Sequence, residues 1–455
     1  MRILHISTRL ILGGSQENTV LSCEGQARLG HEVHLAFGPI YGPEGSLLER
    51  VERFNPESKN DPHGMPAHRR QDHPITTHIV PDLVREVSPV RDRRAYRQLR
   101  ELIRDIKPDV VHTHSSKAGV LGRAAAWTVL RELGPGSMRI VHTIHGPPFM
   151  PVDGNFAQRM KVRISNEAYT WAEWFAAKRC HMIVSVADAM TRQFLARGIG
   201  RPEQYVTVAS GMETGPFLEA APPHSGEDRV SVRAQLGLRE NDFVIGTVAR
   251  LAQHKGHDDL LEALAPDLKA HPEWKLLWVG DGWWRERLVE KARGLGITVR
   301  EHLPEAPGIG SPHHPTISPL HHAAQPPQLF ITGLVPPEHI PGLMRAMDVL
   351  AHPSYREGLP RTVPQALLAG VCPIAYDCDG TPEVVRDRVT GLLVHTGDRA
   401  GLREAVRWAF EHPLERAEMA ARGRAECAER FSAARMVAEL EKVYGSADCG
   451  VRIAE

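Results

Sequence analysis

A loop in the later part of the chain carries residue types that fit sugar and phosphate recognition. The stretch from Met347 to Gly380 reads as strand, loop, helix and strand, with Glu357 and Gly358 in the loop. Pro360 is predicted in the first helical turn, where no N–H donor is needed. Unpaired N–H groups and the helix dipole at such an end attract phosphate, whereas a carboxylate is a better acceptor for hydroxyl groups. The loop therefore indicates a ligand with both a diphosphate and a sugar, although an ordinary turn with a solvated Glu fits the same residues.

Two cations border a second loop between a predicted strand and a predicted helix. The strand pattern from Phe243 to Leu251 carries Arg250 near its end, and Lys255 follows just before a helical pattern. Long side chains at the carboxyl end of a strand point towards the ligand of an open α/β sheet, so both cations can converge on one diphosphate. Two unrelated surface cations are the alternative interpretation.

The first half of the chain offers a histidine and a pair of glycines at comparable places. His145 ends the strand pattern that starts at Arg139, and Gly146 and two prolines fix the chain beyond it. An imidazole there can donate to a sugar hydroxyl or transfer a proton, unless it only hydrogen-bonds a neighbouring loop. Gly13 and Gly14 follow the first predicted strand, where the missing Cβ lets the backbone approach a ligand. A tight turn without a ligand fits the glycines as well.

The composition excludes several classes of protein. The 455 residues exceed one ordinary core and predict two domains. With 55 basic and 55 acidic residues the formal net charge is zero, so no global field recruits nucleic acid. The cysteines form no CxxC pair, which argues for a reducing compartment and against a structural zinc site. Since the sequence enters a strand at once, without a charged leader or a long apolar segment, we expect a cytoplasmic protein that can still touch the membrane peripherally.

Alternating strand and helix patterns predict an α/β protein with two domains, each built on a doubly wound parallel sheet. The first domain is expected at residues 1–213 and the second at 229–432. A linker rich in Pro, Gly and Ser separates them at 214–228. The last segment, 433–455, is predicted to contain a helix that crosses back to the first domain.

Two stretches without an apolar period, at about 54–74 and 300–327, are predicted to be insertions. The second stretch is rich in histidine, with His313, His314, His321 and His322. Because no carboxylate or cysteine accompanies them at ligand spacing, we interpret the stretch as a disordered insertion rather than a metal site.

Two segments carry a pattern that is typical of membrane-surface contact. Six arginines lie in residues 91–107, and the helical pattern from Phe156 to Cys180 has basic residues early and aromatic residues late. A solvated helix face is the simpler explanation of the first segment, and core packing of the aromatic residues is the simpler explanation of the second. Contact with the inner membrane face is therefore a hypothesis at this stage.

The order of short motifs along the chain resembles that of the retaining glycosyltransferases of family 4. The motifs are GG at Gly13, GHEV at Gly30, HG at His145, VARL and a later KG from Val248, VGDG from Val279, and EGLP with a later QALLAG from Glu357. They span nearly the whole chain apart from the two insertions, and their order is more specific than any one of them. The resemblance implies the GT-B architecture, in which two Rossmann-like domains face each other across a cleft. The C-terminal domain would hold a nucleotide sugar and the N-terminal domain the acceptor, without a metal ion.

Carried over residue by residue, the resemblance implies roles for the residues described above. Arg250 and Lys255 would neutralise the donor diphosphate, and Glu357 would hold hydroxyls of the transferred sugar. His145 would lie beside the sugar near the acceptor. These four are the expected catalytic residues, and no metal ligand is expected among them. The other expected donor-binding residues are Gly13, Gly14, Gly280, Asp281, Gly358, Leu359 and Gln365.

Position 365 departs from the family pattern. The family has a second Glu there, which binds the ribose, whereas Gln365 offers a neutral and weaker acceptor. The expected donor is a UDP-sugar or a GDP-sugar with no further cofactor. The expected acceptor is a hydroxyl of a glycan or a lipid-linked sugar, as in relatives that build bacterial surface polysaccharides. An inactive binding or scaffold protein and a nucleotide-sugar epimerase on the same fold are the alternatives.

Overall fold

The computed structural model describes residues 1–40, 45–55, 73–149, 156–219, 228–301 and 326–445. The chain forms two compact units, of which the first takes in Met1–Met212 and resumes at Ser432, and the second is Glu213–Phe431. Each unit contains a seven-stranded sheet whose strands pair in parallel. The predicted α/β fold class with two doubly wound parallel sheets is confirmed.

The strands are short and lie in two sheets. The first sheet consists of β1 (Arg2–Ser7), β2 (Glu32–Phe37), β3 (Ile75–Ile79), β4 (Val110–His114), β5 (Arg139–Ile144), β6 (Met182–Ser185) and β7 (Tyr205–Thr207). The second consists of β8 (Phe243–Val248), β9 (Trp274–Val279), β10 (Val299–Glu301), β11 (Leu329–Ile331), β12 (Val349–His352), β13 (Cys372–Tyr376) and β14 (Leu392–Val394). Every residue of β9 is buried, as are all residues of β1 after the first, because helices cover both faces of a parallel sheet.

Helices connect the strands and supply this cover. Those before the second sheet are α1 (Gly14–Arg28), α2 (Leu48–Phe54), α3 (Pro89–Ile106), α4 (Ser116–Leu133), α5 (Phe156–Ala177), α6 (Asp188–Leu195), α7 (Gly215–Leu218) and α8 (Arg229–Leu236). Those that follow are α9 (His257–Ala270), α10 (Arg285–Gly294), α11 (Ile340–Arg345), α12 (Thr362–Leu368), α13 (Arg399–Glu411), α14 (Pro413–Arg430) and α15 (Ala433–Gly445).

The strand order places one switch point in each sheet. The first sheet runs β3-β2-β1-β4-β5-β6-β7 and the second β10-β11-β9-β8-β12-β13-β14. The chain therefore turns to opposite sides after β1 and after β8. Loops that leave the carboxyl ends of β1 and β4, or of β8 and β12, diverge there and leave room for a ligand.

The C-terminal helix α15 belongs to the first unit, as predicted for a helix that crosses back. Val437 and Leu440 are buried in one apolar cluster with Ile3 and Leu21. Gly25 of α1 permits this packing, because a Cβ at position 25 would lie only 2.4 Å from Cγ2 of Val437.

We expect Gly25→Ala to destabilise the first unit. The added methyl group would have to displace Val437, and such overpacking costs about 1–3 kcal/mol of unfolding free energy. Gly294 at the end of α10 is the matched control, since a Cβ there meets no atom of the described residues within 4 Å. Gly294→Ala should be neutral or stabilising by up to about 1 kcal/mol. Urea unfolding of both variants checks the difference, and equal midpoints would contradict the close approach of α1 and α15.

Several elements differ from the sequence prediction. The sequence pattern predicts that ordered structure resumes at Ile79–Val84, whereas the strand there, β3, already ends at Ile79. It also predicts a helix from Pro336 to Met347, where the structure has a short 3-10 turn followed by α11. The elements α2, α7, α8 and β10 were not predicted, since each is short and carries little periodicity. Of these, α7 lies within the predicted linker 214–228. Of the two predicted insertions, residues 56–72 and 302–325 lie outside the described residues, as do the four histidines of the second one.

Candidate active site

The structure brings Lys255 and Glu357 into direct contact, although 102 positions separate them in the sequence. Nζ of Lys255 lies 2.5 Å from Oε1 of Glu357, with the two side chains 18% and 12% exposed. Lys255 follows β8 and Glu357 follows β12, so the pair lies at the switch point of the second sheet. The sequence predicted both residues at the site, but with separate partners.

Two residues that were not predicted hold Glu357 in place. Nε2 of His352 donates to Oε1 of Glu357 at 2.9 Å, and the backbone N–H of Glu357 donates to Oδ2 of Asp379 at 2.8 Å. His352 is the last residue of β12. The rule that selected His145, a histidine at the carboxyl end of a strand, would also have selected His352.

The carboxyl group of Glu357 is held in its charged form. Burial alone would raise its pKa, but the charge of Lys255 and the hydrogen bond from His352 outweigh burial and lower the pKa well below the ordinary 4.5. Glu357 is therefore an acceptor of hydrogen bonds and not a proton donor. Within the part of the chain that the structure describes, both of its side-chain hydrogen bonds use Oε1.

The depressed pKa predicts a pH dependence of stability. A carboxyl group whose pKa is lowered by folding stabilises the fold above its unfolded pKa, and this contribution is lost as the pH falls. We expect the unfolding free energy to drop below about pH 4.5 and to drop less steeply in Glu357→Gln. Urea unfolding between about pH 3.5 and 6 measures this difference. The exposed Glu404 supplies the control variant Glu404→Gln, and a Glu357→Gln curve parallel to it would refute the assignment.

Backbone contacts hold the loops of the two strands together. The carbonyl of His254 accepts from the backbone N–H of Tyr355 at 2.8 Å and from Oγ of Ser354 at 3.1 Å. Gly256 adopts φ +71°, and a Cβ there would lie 1.9 Å from the carbonyl oxygen of Pro353. A glycine is therefore required at 256 both by conformation and by space.

Tyr355 anchors the second loop to a helix. Its hydroxyl donates to Oδ2 of Asp259 at 2.5 Å, and Asp259 also accepts from Tyr376 and from Arg399. Asp259 is buried in the first turn of α9, directly after the loop that carries Lys255. The position of Glu357 relative to Lys255 thus rests on a connected polar network.

Arg250 lies on the same side of the second sheet. It is exposed, and its guanidinium carbon lies 5.7 Å from the ring centre of Trp283. Gly280 lets the two loops meet, since it has φ +139° and a Cβ would lie 2.2 Å from the carbonyl oxygen of Ala249. The predicted convergence of Arg250 and Lys255 on one diphosphate stays a prediction.

Asp281 is held in position by hydrogen bonds with Arg285, Gly282 and Leu251. Its Oδ2 pairs with Nη1 of Arg285 at 3.0 Å, and its Oδ1 accepts from the backbone N–H of Gly282 at 2.7 Å. Its backbone carbonyl accepts from the N–H of Leu251 at 3.0 Å. Asp281 therefore ties the VGDG turn to the loop of Arg250.

The helix after Glu357 begins beyond Pro360, which was predicted in its first turn. The helix α12 has seven residues and begins at Thr362, so Pro360 lies before the helix and not in its first turn. Gly358 and Leu359 are buried in the preceding loop, and Gln365 is half-buried within α12. Because α12 is so short, its dipole adds less to a phosphate seat than a full helix would.

Gly13 and Gly14, the glycine pair of the first unit, differ in their position relative to α1. Gly14 is the first residue of α1, and Gly13 precedes it with φ 179°, an extended conformation that any residue adopts. Of the described residues, a Cβ at Gly13 would meet only the side chain of Gln16, whose Oε1 would lie 2.7 Å away. The backbone conformation alone therefore does not require glycine at 13.

His145 directly follows β5 and contacts a second histidine. Its Nε2 lies 3.1 Å from Nδ1 of His114 at the end of β4, and the rings stack with centres 5.3 Å apart. Within the described residues, one group has the spacing of metal ligands, with ligand atoms of His5, His112 and His114 within 4.8 Å of one another. Each of these three buried histidines already hydrogen-bonds protein groups through both ring nitrogens.

Two family models match consecutive parts of the chain. The model described as "Glycosyl transferase 4-like domain" matches residues 13–211. The model described as "Glycosyl transferases group 1" matches residues 228–304 and 314–426. Together they take in Gly13 and Gly14 and the loops of β5, β8 and β12 that carry the residues above.

Curated relatives of this chain are glycosyltransferases by name. The Escherichia coli UDP-Gal:alpha-D-GlcNAc-diphosphoundecaprenol alpha-1,3-galactosyltransferase is 26% identical over 329 residues, which cover 72% of this chain and 73% of that protein. The D-inositol 3-phosphate glycosyltransferase of Corynebacterium aurimucosum is 25% identical over 362 residues, covering 76% and 75%.

Solved structures of glycosyltransferases share the fold. Anabaena HepE in complex with UDP and glucose superposes with a TM-score of 0.71 at 19% identity, over 97% of this chain and 99% of HepE. WaaG, a glycosyltransferase involved in lipopolysaccharide biosynthesis, gives a TM-score of 0.64 at 16% identity, over 98% and 100%. The family resemblance seen in the motifs is thus confirmed. The chain belongs to the group 1 glycosyltransferases of family 4, with the GT-B fold.

Proposed function

We propose that this enzyme moves a sugar from a UDP-sugar or GDP-sugar to a hydroxyl of a glycan or lipid-linked acceptor, with retention at the anomeric carbon and without a required metal ion. The observation that carries the proposal is the pair of Lys255 and Glu357 at the switch point of the second sheet. It joins a cation for diphosphate to a carboxylate for sugar hydroxyls. The E. coli and Anabaena proteins support a UDP-sugar, since their descriptions name UDP-Gal and UDP with glucose.

The charges of the second unit suit departure of a diphosphate. Negative charge develops on the phosphate oxygen as its bond to the anomeric carbon breaks, and Lys255 with Arg250 would neutralise that charge. Oε1 of Glu357 holds Lys255 and His352, which leaves Oε2 to accept from sugar hydroxyls. Gln365 would contact the ribose as a neutral acceptor.

The proposed reaction proceeds by front-face attack. The acceptor oxygen forms the new bond on the side from which the phosphate leaves, and the departing phosphate oxygen takes the proton of the acceptor hydroxyl. His145 would orient that hydroxyl. Glu357 is not required as a nucleophile, since its carboxylate already serves Lys255 and the sugar hydroxyls.

Ligand-dependent thermal stability tests the donor. A ligand that binds only the folded state raises the melting temperature, so a panel of UDP, GDP and their sugars identifies the base and the sugar. We expect a UDP-sugar or a GDP-sugar to stabilise the wild type and to stabilise Glu357→Gln less. Absence of stabilisation by every nucleotide would overturn the proposal. Product analysis then separates transfer, which releases the nucleotide, from epimerisation, which leaves it attached.

We also propose that α5 rests on an anionic membrane surface. Its apolar residues Phe156, Ile164 and Trp171 are 80%, 64% and 66% exposed. The core packing expected for the late aromatic residues is wrong for Trp171 and for Trp174, which is 42% exposed. Basic residues accompany the exposed apolar residues, namely Arg159, Lys161 and Arg163. Apolar side chains with interspersed cations are typical of a helix in the membrane interface.

The basic segment 91–107 is the other candidate for contact with the membrane surface. Arg104 of the basic segment 91–107 already pairs with Glu132, whereas Arg93, Arg94 and Arg97 of the same helix are exposed. Among the described residues, every helix is too short or too polar to cross a bilayer. The proposed contact is therefore made by a surface helix.

Vesicle binding tests this contact. Ile164→Ser combined with Trp171→Ser should weaken binding to vesicles that contain phosphatidylglycerol by about tenfold or more, because each buried apolar side chain contributes about 1.5–3 kcal/mol. Leu414→Ser is the control, since Leu414 is 77% exposed in the second unit. Binding of the wild type should also weaken with salt. Sedimentation that shows equal binding of both variants would exclude α5 as the contact.

A further inference from the structure

Gln26 is a fully buried polar residue on α1 whose amide joins two sets of side chains. Its Oε1 lies 2.7 Å from Nε2 of His5, and its Nε2 donates to the hydroxyl of Tyr444 at 3.2 Å. Tyr444 belongs to α15, so the contact spans 418 positions of the sequence. An amide has one end that only accepts and one end that only donates, so it gives direction to both sets.

The amide oxygen of Gln26 determines which ring nitrogens carry protons in the first set, which consists of His5, His114 and His145. Because the amide oxygen accepts, His5 carries its proton on Nε2, and its Nδ1 accepts from Nε2–H of His114 at 2.9 Å. Nδ1 of His114 then has no proton and accepts from Nε2–H of His145 at 3.1 Å. The direction of hydrogen bonding thus passes from Gln26 to His145.

The amide nitrogen of Gln26 determines the direction of the hydrogen bonds in the second set, which consists of Tyr444, His112 and Thr143. The hydroxyl of Tyr444 accepts from the amide and donates to Nδ1 of His112 at 2.6 Å. Nε2–H of His112 then donates to Oγ1 of Thr143 at 2.7 Å. Gln26 therefore stands at the centre of one directed series of hydrogen bonds.

The series requires rings that carry a single proton. His5, His112 and His114 are at most 1% exposed. Burial lowers the pKa of His5 to about 4 and lowers the pKa of His112 and His114 well below the ordinary value. Near neutral pH each ring therefore has one donor and one acceptor, and reversing one bond would reverse all of them.

We propose that Gln26 and Tyr444 are positioning residues that fix the tautomer of His145 through His5 and His114. In this arrangement Nε2 of His145 carries the proton and Nδ1 is the accepting nitrogen. The consequence rests on the proposed function, in which His145 acts on the acceptor hydroxyl. Before attack, His145 would then accept a hydrogen bond from that hydroxyl rather than donate one to the sugar, and the proton would pass to the departing phosphate oxygen as the new bond forms. A flipped amide at Gln26 would reverse the series and present N–H at Nδ1.

A spectroscopic experiment tests the tautomer without any substrate. Protein labelled with ¹⁵N-histidine shows which ring nitrogen carries the proton, because the two neutral tautomers have distinct ¹⁵N shifts, and single histidine variants assign the signals. We expect His145 protonated on Nε2 in the wild type. In Gln26→Glu the carboxylate only accepts, so His145 should keep its tautomer while His112 changes to protonation on Nδ1. Gln26→Leu should lose the preference at His145.

The matched control is a second buried glutamine of the first unit. Gln204 donates to the carbonyls of Ala177 and Cys180 and lies outside the series. Gln204→Leu should destabilise the fold without changing the tautomer of His145. A wild-type His145 protonated on Nδ1, or a His145 signal unchanged in Gln26→Leu, would overturn the inference. So would signals of His5, His112 and His114 that shift together on addition of Zn²⁺, since that result would show a metal site.

Kinetics supplies the second readout. With the donor and acceptor identified, Gln26→Leu should lower kcat by about 10- to 100-fold with little change in donor KM, and Gln26→Glu should stay within about threefold of the wild type. Equal losses of kcat in Gln26→Leu and Gln204→Leu would indicate a structural role only. Because the tautomer is measured without substrate, failure of the proposed function and failure of this inference are distinguishable.

Discussion

Lys255→Met is expected to lower the rate of sugar transfer by about 10²- to 10³-fold, the loss that follows removal of one group that stabilises charge in a transition state. Methionine keeps the apolar stem of the side chain and removes the charge that would face the leaving diphosphate. Nucleotide release in the presence of donor and acceptor measures the rate. Donor KM should rise as well, since the same cation binds the diphosphate in the ground state.

The structure adds a second consequence of this substitution. Glu357 would lose its cation at 2.5 Å while its carboxylate stays mostly buried. Loss of one partner of a buried pair costs about 3–5 kcal/mol, and the partial exposure of both side chains reduces this to about 1–3 kcal/mol. Activity lost in the single variant therefore combines chemistry with stability.

The double variant Lys255→Met with Glu357→Gln separates the two effects. Removing both charges should recover most of the unfolding free energy, because no buried charge is left without its partner, while transfer stays as low as in the single variant. Lys291→Met is the control, since Lys291 makes a comparable pair at 2.6 Å with Asp258 on the helices α9 and α10. It should leave the transfer rate unchanged. Transfer near the wild-type rate in the double variant would exclude the assigned phosphate contact.

Much of the fold could be predicted from local patterns. Buried parallel strands are nearly continuous apolar runs, and glycine and proline mark where they stop, so the strand patterns from Arg139 and from Phe243 were found as β5 and β8, although β8 ends at Val248 and not at Leu251. The same reasoning placed Glu357, Lys255 and His145 after strands. In a doubly wound sheet the connectivity alone sends such residues to one edge.

The contacts between these residues could not be predicted in the same way. The pairing of Lys255 with Glu357 depends on the register of β8 with β12, where Ile245 is opposite Val349, and on the approach of Gly256 to Pro353. Neither leaves a local pattern in the sequence. The prediction that Pro360 lies in the first helical turn was wrong, because the loop continues to Arg361 before α12 begins.

The hydrogen bonds that link Gln26 and Tyr444 to the histidines could not be predicted from local patterns either. His112 and His114 alternate along β4, which a period of two predicts to lie on one face of the sheet. Gln26, the partner of His5, lies on a helix whose buried face includes other polar residues such as Asn18 and Ser22, so no apolar stripe marked it. Tyr444 can contact Gln26 only because α15, the helix that carries it, returns to the first unit.

Gly256→Ala is expected to abolish most of the activity by separating the two loops of the site. An L-residue at φ +71° costs about 1–2 kcal/mol, and the new Cβ would lie 1.9 Å from the carbonyl oxygen of Pro353. Because that oxygen belongs to backbone, the loop itself must move, and Glu357 moves with it. We expect kcat/KM to fall by about 10²-fold or more, since misplacement of about 1 Å costs that much.

Gly370→Ala distinguishes displacement of the loop from conformational strain alone. Gly370 has φ +79°, but among the residues that the structure describes a Cβ there would meet only Nη1 of Arg424, at 3.7 Å. Both variants should lose about 1–2 kcal/mol of unfolding free energy from the left-handed conformation, whereas only Gly256→Ala should lose the activity. Steady-state kinetics and urea unfolding of the two proteins give the comparison. Equal activities would show that the approach of Gly256 to Pro353 does not position Glu357, and the carboxylate would then need another means of alignment with Lys255.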